Sequence, residues 1–212
     1  MSDLTEFRDN TVNFLKLNRL KVTFSNENGG IYNFKLEKVG DHTFNLTAGE
    51  GVRAYWCPYN SDRVHSATLG ADADLMFTAT MNGCSFGVGV PADDGTVRVA
   101  HANTTEHDQI AAIDEAYDHL PGKPGSPEFL AASARIGMRH SAMKQKLQLE
   151  QLKSLLVTGD RRMANHISLA AYNGCDNITT FGVREDGVWK FYFQGLNGTE
   201  IMGCFPFPKI NP

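Results

Sequence analysis

Cys84 and His101 are the two side chains of this chain whose types and spacing suit nucleophilic chemistry. A thiol becomes an effective nucleophile when a neighbouring imidazole takes its proton, and the same imidazole can then protonate the departing group. Cys84 follows the turn pair Asn82-Gly83, and an apolar run leads from it to Pro91-Ala92-Asp93-Asp94-Gly95. The alternating run Thr96-Val97-Arg98-Val99-Ala100 then ends at His101. One β-hairpin would carry both reactants, with the thiol held as thiolate by the imidazole near neutral pH.

Whether the pair can meet depends on the loop, because antiparallel strands impose parity. With Ala92 to Gly95 as a four-residue loop, Pro91 faces Thr96 and His101 lies opposite Phe86. It is then on the face of Cys84 and diagonal to it, at a Cα separation of roughly 7 to 8 Å. A two-residue Asp94-Gly95 turn keeps the face but sets His101 opposite Val88, roughly 13 Å along the strand from Cys84. A five-residue loop puts the two on opposite faces. The chemistry therefore requires an even loop or a bulge.

Each residue also has an ordinary structural reading. A cysteine beside glycine on an apolar strand is commonly a small buried hydrophobe, and a histidine at a strand end is commonly a hydrogen-bonded fixture. Asn103 could orient the His101 ring or simply turn the chain. Other chemistries have less support. Gly87-Val88-Gly89 lacks the third glycine and the helix of a phosphate loop, no Gly-x-Ser-x-Gly occurs, and Asp72 and Asp74 carry no signature beyond a solvated loop.

The 212 residues suit one domain, taken here as 1–212, and 42% hydrophobic, 10% aromatic and 21% charged residues are the proportions of a globular protein. A formal charge of -4 argues against general nucleic-acid affinity. No apolar run is long enough to span a membrane, and Met1 to Asn10 carries acids where a secretory signal would be basic and then apolar. A soluble chain without a cleaved signal is the expectation. Cys57, Cys84, Cys175 and Cys204 are too few and too irregular for a disulfide framework, and neither they nor the scattered histidines have metal-ligand spacing.

The elements that must position the pair follow from periodicity. Ser2 can cap a short helix through about Leu15. The segments 21–24, 31–36, 43–46 and 52–56 alternate as strands between Asn28-Gly29-Gly30, Gly40-Asp41 and Gly49-Glu50-Gly51. Asp74 to Met81 reads as a strand or a helical turn. Helical spacing runs from Glu106 to Pro121, and a second, basic helix from Pro127 through Leu156, with a break near Gly137 and a stop around Gly159. Strands return from about His166, where Asn173-Gly174-Cys175 and Glu185-Asp186-Gly187 echo the first hairpin, with Tyr192 in the place of His101. The fold class is α+β, with a sandwich-like antiparallel sheet core and helices packed around it.

Trp56-Cys57-Pro58-Tyr59, Asp74-Leu75-Met76, Thr78 six residues before the cysteine, Met81-Asn82-Gly83-Cys84 and His101 together form a recognisable pattern. It resembles the Burkholderia lethal factor-like glutamine deamidases, whose catalytic fold is shared with the cytotoxic necrotizing factors and the chemotaxis receptor deamidases. The departures are Met81-Asn82 in place of Leu-Ser and a longer connection from cysteine to histidine. The resemblance implies a cofactor-free, cysteine-dependent conversion of glutamine to glutamate on a host protein, with Cys84, His101 and Thr78 catalytic. Thr78 would donate a hydroxyl hydrogen bond, and backbone N–H groups of the Asn82-Gly83-Cys84 turn would receive the oxyanion. It further implies a monomeric bacterial toxin or effector, made in the bacterial cytoplasm and acting in the host cytosol, with neither nucleic acid nor membrane as partner. The alternatives are a related transglutaminase or cysteine protease, and a binding or immunity module that uses the hairpin as a recognition edge.

Overall fold

Alternating apolar residues pair into two sheets in the computed structural model, which describes residues 3–104, 108–157, 162–168, 172 and 174–207. Two short helices, α1 (Asp3–Asp9) and α2 (Thr11–Leu17), open the described chain. Strands β1 (Arg19–Val22), β2 (Gly30–Gly40), β3 (Thr43–Ala48), β4 (Val52–Cys57), β5 (Val64–Leu69), β6 (Leu75–Thr78), β7 (Ser85–Gly89) and β8 (Val97–Ala102) follow. Helix α3 (Asp108–Asp114) runs into a 3₁₀ turn, Glu115–Tyr117, before α4 (Pro127–Leu156). The strands β9 (Met163–Ile167), β10 (Asn177–Glu185), β11 (Val188–Asn197) and β12 (Glu200–Pro206) complete the fold.

The larger sheet has the order β1-β3-β2-β4-β6-β10-β11-β12 and the smaller one β5-β8-β7-β9. Pairing is antiparallel except for β1 with β3 and β4 with β6. The larger sheet curls into a nearly closed barrel. Its ends approach where the Leu20 N–H donates to Gln194 Oε1 at 3.0 Å and the Thr179 hydroxyl donates to the Leu20 carbonyl at 3.4 Å. The sheet-rich α+β class read from the sequence is the observed one, with two parallel ladders that strand periodicity cannot signal.

Parity sorts the core into two compartments. Trp56, Leu75, Phe77 and Phe181 turn into the barrel, where α1 and α2 fill it with Phe7, Phe14 and Leu15. Tyr55, Cys57, Met76 and Ile178 turn the other way and pack on Phe86, Val88, Val97 and Val99 of the smaller sheet. β6 is therefore buried on both faces, which is why Leu75-Met76-Phe77 reads as a continuous apolar run. Burying each large apolar side chain stabilises the fold by roughly 1.5 to 3 kcal/mol.

α4 covers the outer face of the smaller sheet through Leu152 and Leu156 against Ala100 and Ala102. It starts where Ser126 Oγ accepts the Phe129 N–H at 3.2 Å with Pro127 in the first turn, a favourable helix entry. Gly87 permits the approach, because a Cβ there would come within 2.6 Å of Leu156 Cδ1.

Several boundaries differ from the sequence reading. The first helix is two, broken at Asn10 (φ -146°, ψ 50°), where α2 begins anew. β1 starts at Arg19, earlier than expected, and pairs in parallel with β3 rather than joining a meander. α4 runs unbroken through Gly137. Ser2, Glu106, Gly159 and Asn173 lie outside the described residues.

Candidate active site between the two sheets

The first hairpin adopts the four-residue loop. Ala92 N–H donates to Thr96 C=O at 2.8 Å and Gly95 N–H to Ala92 C=O at 2.9 Å, closing the loop between Pro91 and Thr96. The ladder then pairs Ser85 with Ala102 and Phe86 with His101. Cys84 and His101 thus share the face of the smaller sheet that looks into the sandwich. Ser85, Gly87, Ala100 and Ala102 occupy the other face, under α4.

Thr78, at the end of β6, meets His101 from the opposing sheet. Its Oγ1 lies 2.7 Å from His101 Nδ1, and both residues are buried. The parallel pairing of β4 with β6 sets Cys57 beside Thr78 in register, so the Trp56-Cys57-Pro58-Tyr59 segment leads directly over the site. Tyr59 lays its ring against His101 at a centroid distance of 4.9 Å, and Phe86 makes an edge contact at 6.3 Å. Asn103 Nδ2 donates to Tyr59 Oη at 3.1 Å. Asn103 therefore positions the tyrosine that covers the imidazole, while Thr78 holds the imidazole itself. Read from the sequence, Asn103 was a candidate to orient His101 directly.

His101 Nε2 is buried and has no hydrogen-bond partner. The Cys84 sulfur accordingly does not bond to it in this conformation, although strand geometry keeps their Cα atoms roughly 7 to 8 Å apart. His65 stands directly across β5 from His101, with its own Nε2 buried and unpartnered.

The Cys84 turn is pinned from two distant parts of the chain. Gln148 of α4, fully buried, donates to Gly83 C=O at 3.2 Å and accepts from Ser85 Oγ at 2.7 Å. The Tyr172 hydroxyl donates to Cys84 C=O at 2.6 Å. Gly83 has φ 122°, a backbone conformation that side-chain-bearing residues rarely adopt, which explains the glycine before the cysteine. Asn82 is exposed, and its backbone hydrogen-bonds the Cys84 sulfur.

Burial dominates the protonation states. It pushes the Cys84 thiol up to about 11, against the opposing effects of Lys144 and the Asn82 backbone. It lowers His101 to about 3, helped by His65. Both groups are therefore neutral at pH 7, whereas sequence reasoning had the sulfur held as thiolate by an imidazole partner. A neutral imidazole with a free Nε2 is a proton acceptor, so proton transfer would accompany sulfur attack rather than precede it. Burial raises the Cys57 thiol as well.

Tyr59 lay within the sequence pattern, but its place on His101 had no sequence signal. Gln148 is the amide amid Leu147, Leu152 and Leu156 on the buried face of α4, a polar break in an apolar stripe that marks a specific partner. His65 and Tyr172 are legible only in three dimensions.

Among the described residues no group of three or more His, Cys, Asp and Glu converges to hold a metal. No helix among them is long and apolar enough to cross a membrane. No protein-family model matches the chain, and a search of curated proteins finds no match.

Proposed function

We propose that the protein is a thiol-dependent amide hydrolase, with Cys84 as nucleophile and His101 as the base that becomes the acid. The observation that carries this reading is the Thr78–His101 hydrogen bond at 2.7 Å, which fixes the ring through Nδ1 and leaves a buried Nε2 on the face shared with Cys84. With Nε2 as base, Nδ1 carries the proton and donates to the Thr78 oxygen, so Thr78 accepts rather than donates. The particular reaction that the motif resemblance favours is deamidation of a protein glutamine.

In that reaction Nε2 takes the Cys84 proton as the sulfur attacks the glutamine carbonyl carbon. The tetrahedral oxyanion collapses, the C–N bond breaks, and the imidazolium proton leaves with ammonia. Water, deprotonated by Nε2, then splits the thioester to glutamate and restores the thiol. Backbone N–H groups of the Gly83-Cys84 turn would stabilise the oxyanion. A carboxylate in place of an amide can abolish a hydrogen bond on the target, which suits a toxin or effector acting on a host protein in the host cytosol.

The decisive experiment is mass spectrometry of host-cell lysate proteins treated with wild type or Cys84→Ala. Glutamine-to-glutamate conversion that requires Cys84 is expected. Equal patterns from both proteins would overturn the reading, and amine incorporation or chain cleavage would redirect it to a transglutaminase or protease. A binding module is the second reading, favoured by the 2% exposure of Cys84. It requires that the thiol stay unreactive towards alkylation in the native protein.

A further inference from the structure

α4 reaches the cysteine turn with two side chains one helical turn apart. Gln148 clamps both sides of Cys84 by binding Gly83 C=O and Ser85 Oγ. Lys144, four residues earlier, projects along the same helical face over the same turn. Its Nζ lies 3.7 Å from the point a Cβ on Gly83 would occupy, which places the ammonium directly over the cysteine turn. Lys144 is half-buried and forms no ion pair among the described residues. Its charge is thus directed at the turn rather than spent on a carboxylate.

Among the described residues, the titratable groups around the Cys84 sulfur are Tyr59 beyond β4, Tyr172 beyond β9, His101 on β8 and Lys144 on α4. The tyrosines and the imidazole are neutral at pH 7. Lys144 is the one cation acting on the sulfur among the described residues.

We propose that Lys144 is a positioning residue of the Cys84 site, stabilising the negative charge that develops on the sulfur as it loses its proton. The inference rests on the reading of Cys84 as nucleophile and adds α4 to the machinery. Gln148 holds the turn and Lys144 supplies the charge, so the helix acts on the sulfur through the turn that carries it.

The test is the pH profile of Cys84 alkylation by iodoacetamide in the full chain, read by peptide mass spectrometry for wild type, Lys144→Met and Lys144→Arg. Lys144→Met is expected to move the alkylation midpoint up by about one pH unit and slow the reaction about tenfold at pH 8. Lys144→Arg should recover most of the rate, and Cys175 should alkylate equally in all three proteins. An unfolding midpoint close to wild type checks that Lys144→Met is folded. A folded Lys144→Met protein with the wild-type Cys84 profile would overturn the role of Lys144 and leave the nucleophile reading standing. A native wild type in which Cys84 never reacts would overturn both.

Discussion

The two glycine-cysteine hairpins of this molecule look alike in sequence and differ in what they bring together. In β7–β8 a four-residue loop pairs Phe86 with His101, two residues along from Cys84. In β10–β11 the turn is only Asp186-Gly187, with φ 51° and 82°, and Glu185 pairs with Val188. Tyr192, which occupies the place of His101 in the sequence echo, therefore lies opposite Phe181, six residues beyond Cys175. Cys175 itself lies before β10 and packs against Gly195, three residues along β11 from Tyr192. Tyr192 instead stacks on Phe181 at 5.6 Å, towards the barrel compartment, while Cys175 packs in the other. A turn centred two residues farther from the cysteine separates a candidate reactive pair from two unrelated core residues.

The largest effect expected from this contrast is on activity. Cys84→Ala should reduce glutamine conversion by at least about a thousandfold, of the order seen when a covalent nucleophile is removed, whereas Cys175→Ala should stay within about twofold. Ammonia release measured on both variants checks the asymmetry. Comparable losses would mean that the hairpins are not distinguished as described.

Thr78→Val keeps shape and burial but leaves His101 Nδ1 without its partner. Conversion should fall by about ten- to a hundredfold and stability by about 1 to 3 kcal/mol, the cost of an unsatisfied buried polar group. Thr78→Ser should restore both. Urea unfolding together with initial rates separates the two effects.

Protonation gives a third contrast, since only the first hairpin buries a histidine. The folded-state value of His101 is depressed to about 3, below the unfolded value of about 6.5, so the unfolded chain binds the extra proton. The stability contributed by the neutral ring is complete above pH 6.5. It is lost at up to about 1.4 kcal/mol per pH unit as pH falls from there towards 3. His166, also depressed by burial, acts in the same direction. Urea midpoints from pH 7 to pH 5 should therefore decline more steeply in wild type than in His101→Gln. Parallel declines would contradict a buried neutral His101.

The smallest difference concerns the turn glycines. Gly83 sits at φ 122° and Gly174 at φ 78°, and the second value is closer to the left-handed region that alanine tolerates. Gly83→Ala should cost about 1 to 3 kcal/mol and Gly174→Ala about 1 kcal/mol less, measured as unfolding free energies.

Much of this was legible before any coordinates. The period-two alternation of Val97 to His101 and the turn residues Ala92 to Gly95 already admitted the register that pairs Phe86 with His101, as one of two even-loop solutions. Thr78 belonged to the motif that pointed to Cys84. The hydrogen bond of Asn103 to Tyr59 was not legible, because that partner comes from a segment more than forty residues earlier. The thiolate expectation failed because sequence spacing records which groups are neighbours and not how much water remains around them.

The sequence by itself determined which residues of one strand share a face, since side-chain parity along a strand is a local property of the backbone. It also determined the bounds of the long helix, Pro127 to Leu156, though not its unbroken course through Gly137. Tertiary structure alone decided that the loop closes with four residues and that β4 and β6 run parallel, setting Thr78 against His101. It also decided that Gln148 and Lys144 of α4 and Tyr172 return to the Cys84 turn. Those contacts join residues dozens of positions apart, where no periodicity carries information and only the packing of sheet on sheet and helix on sheet selects the partner.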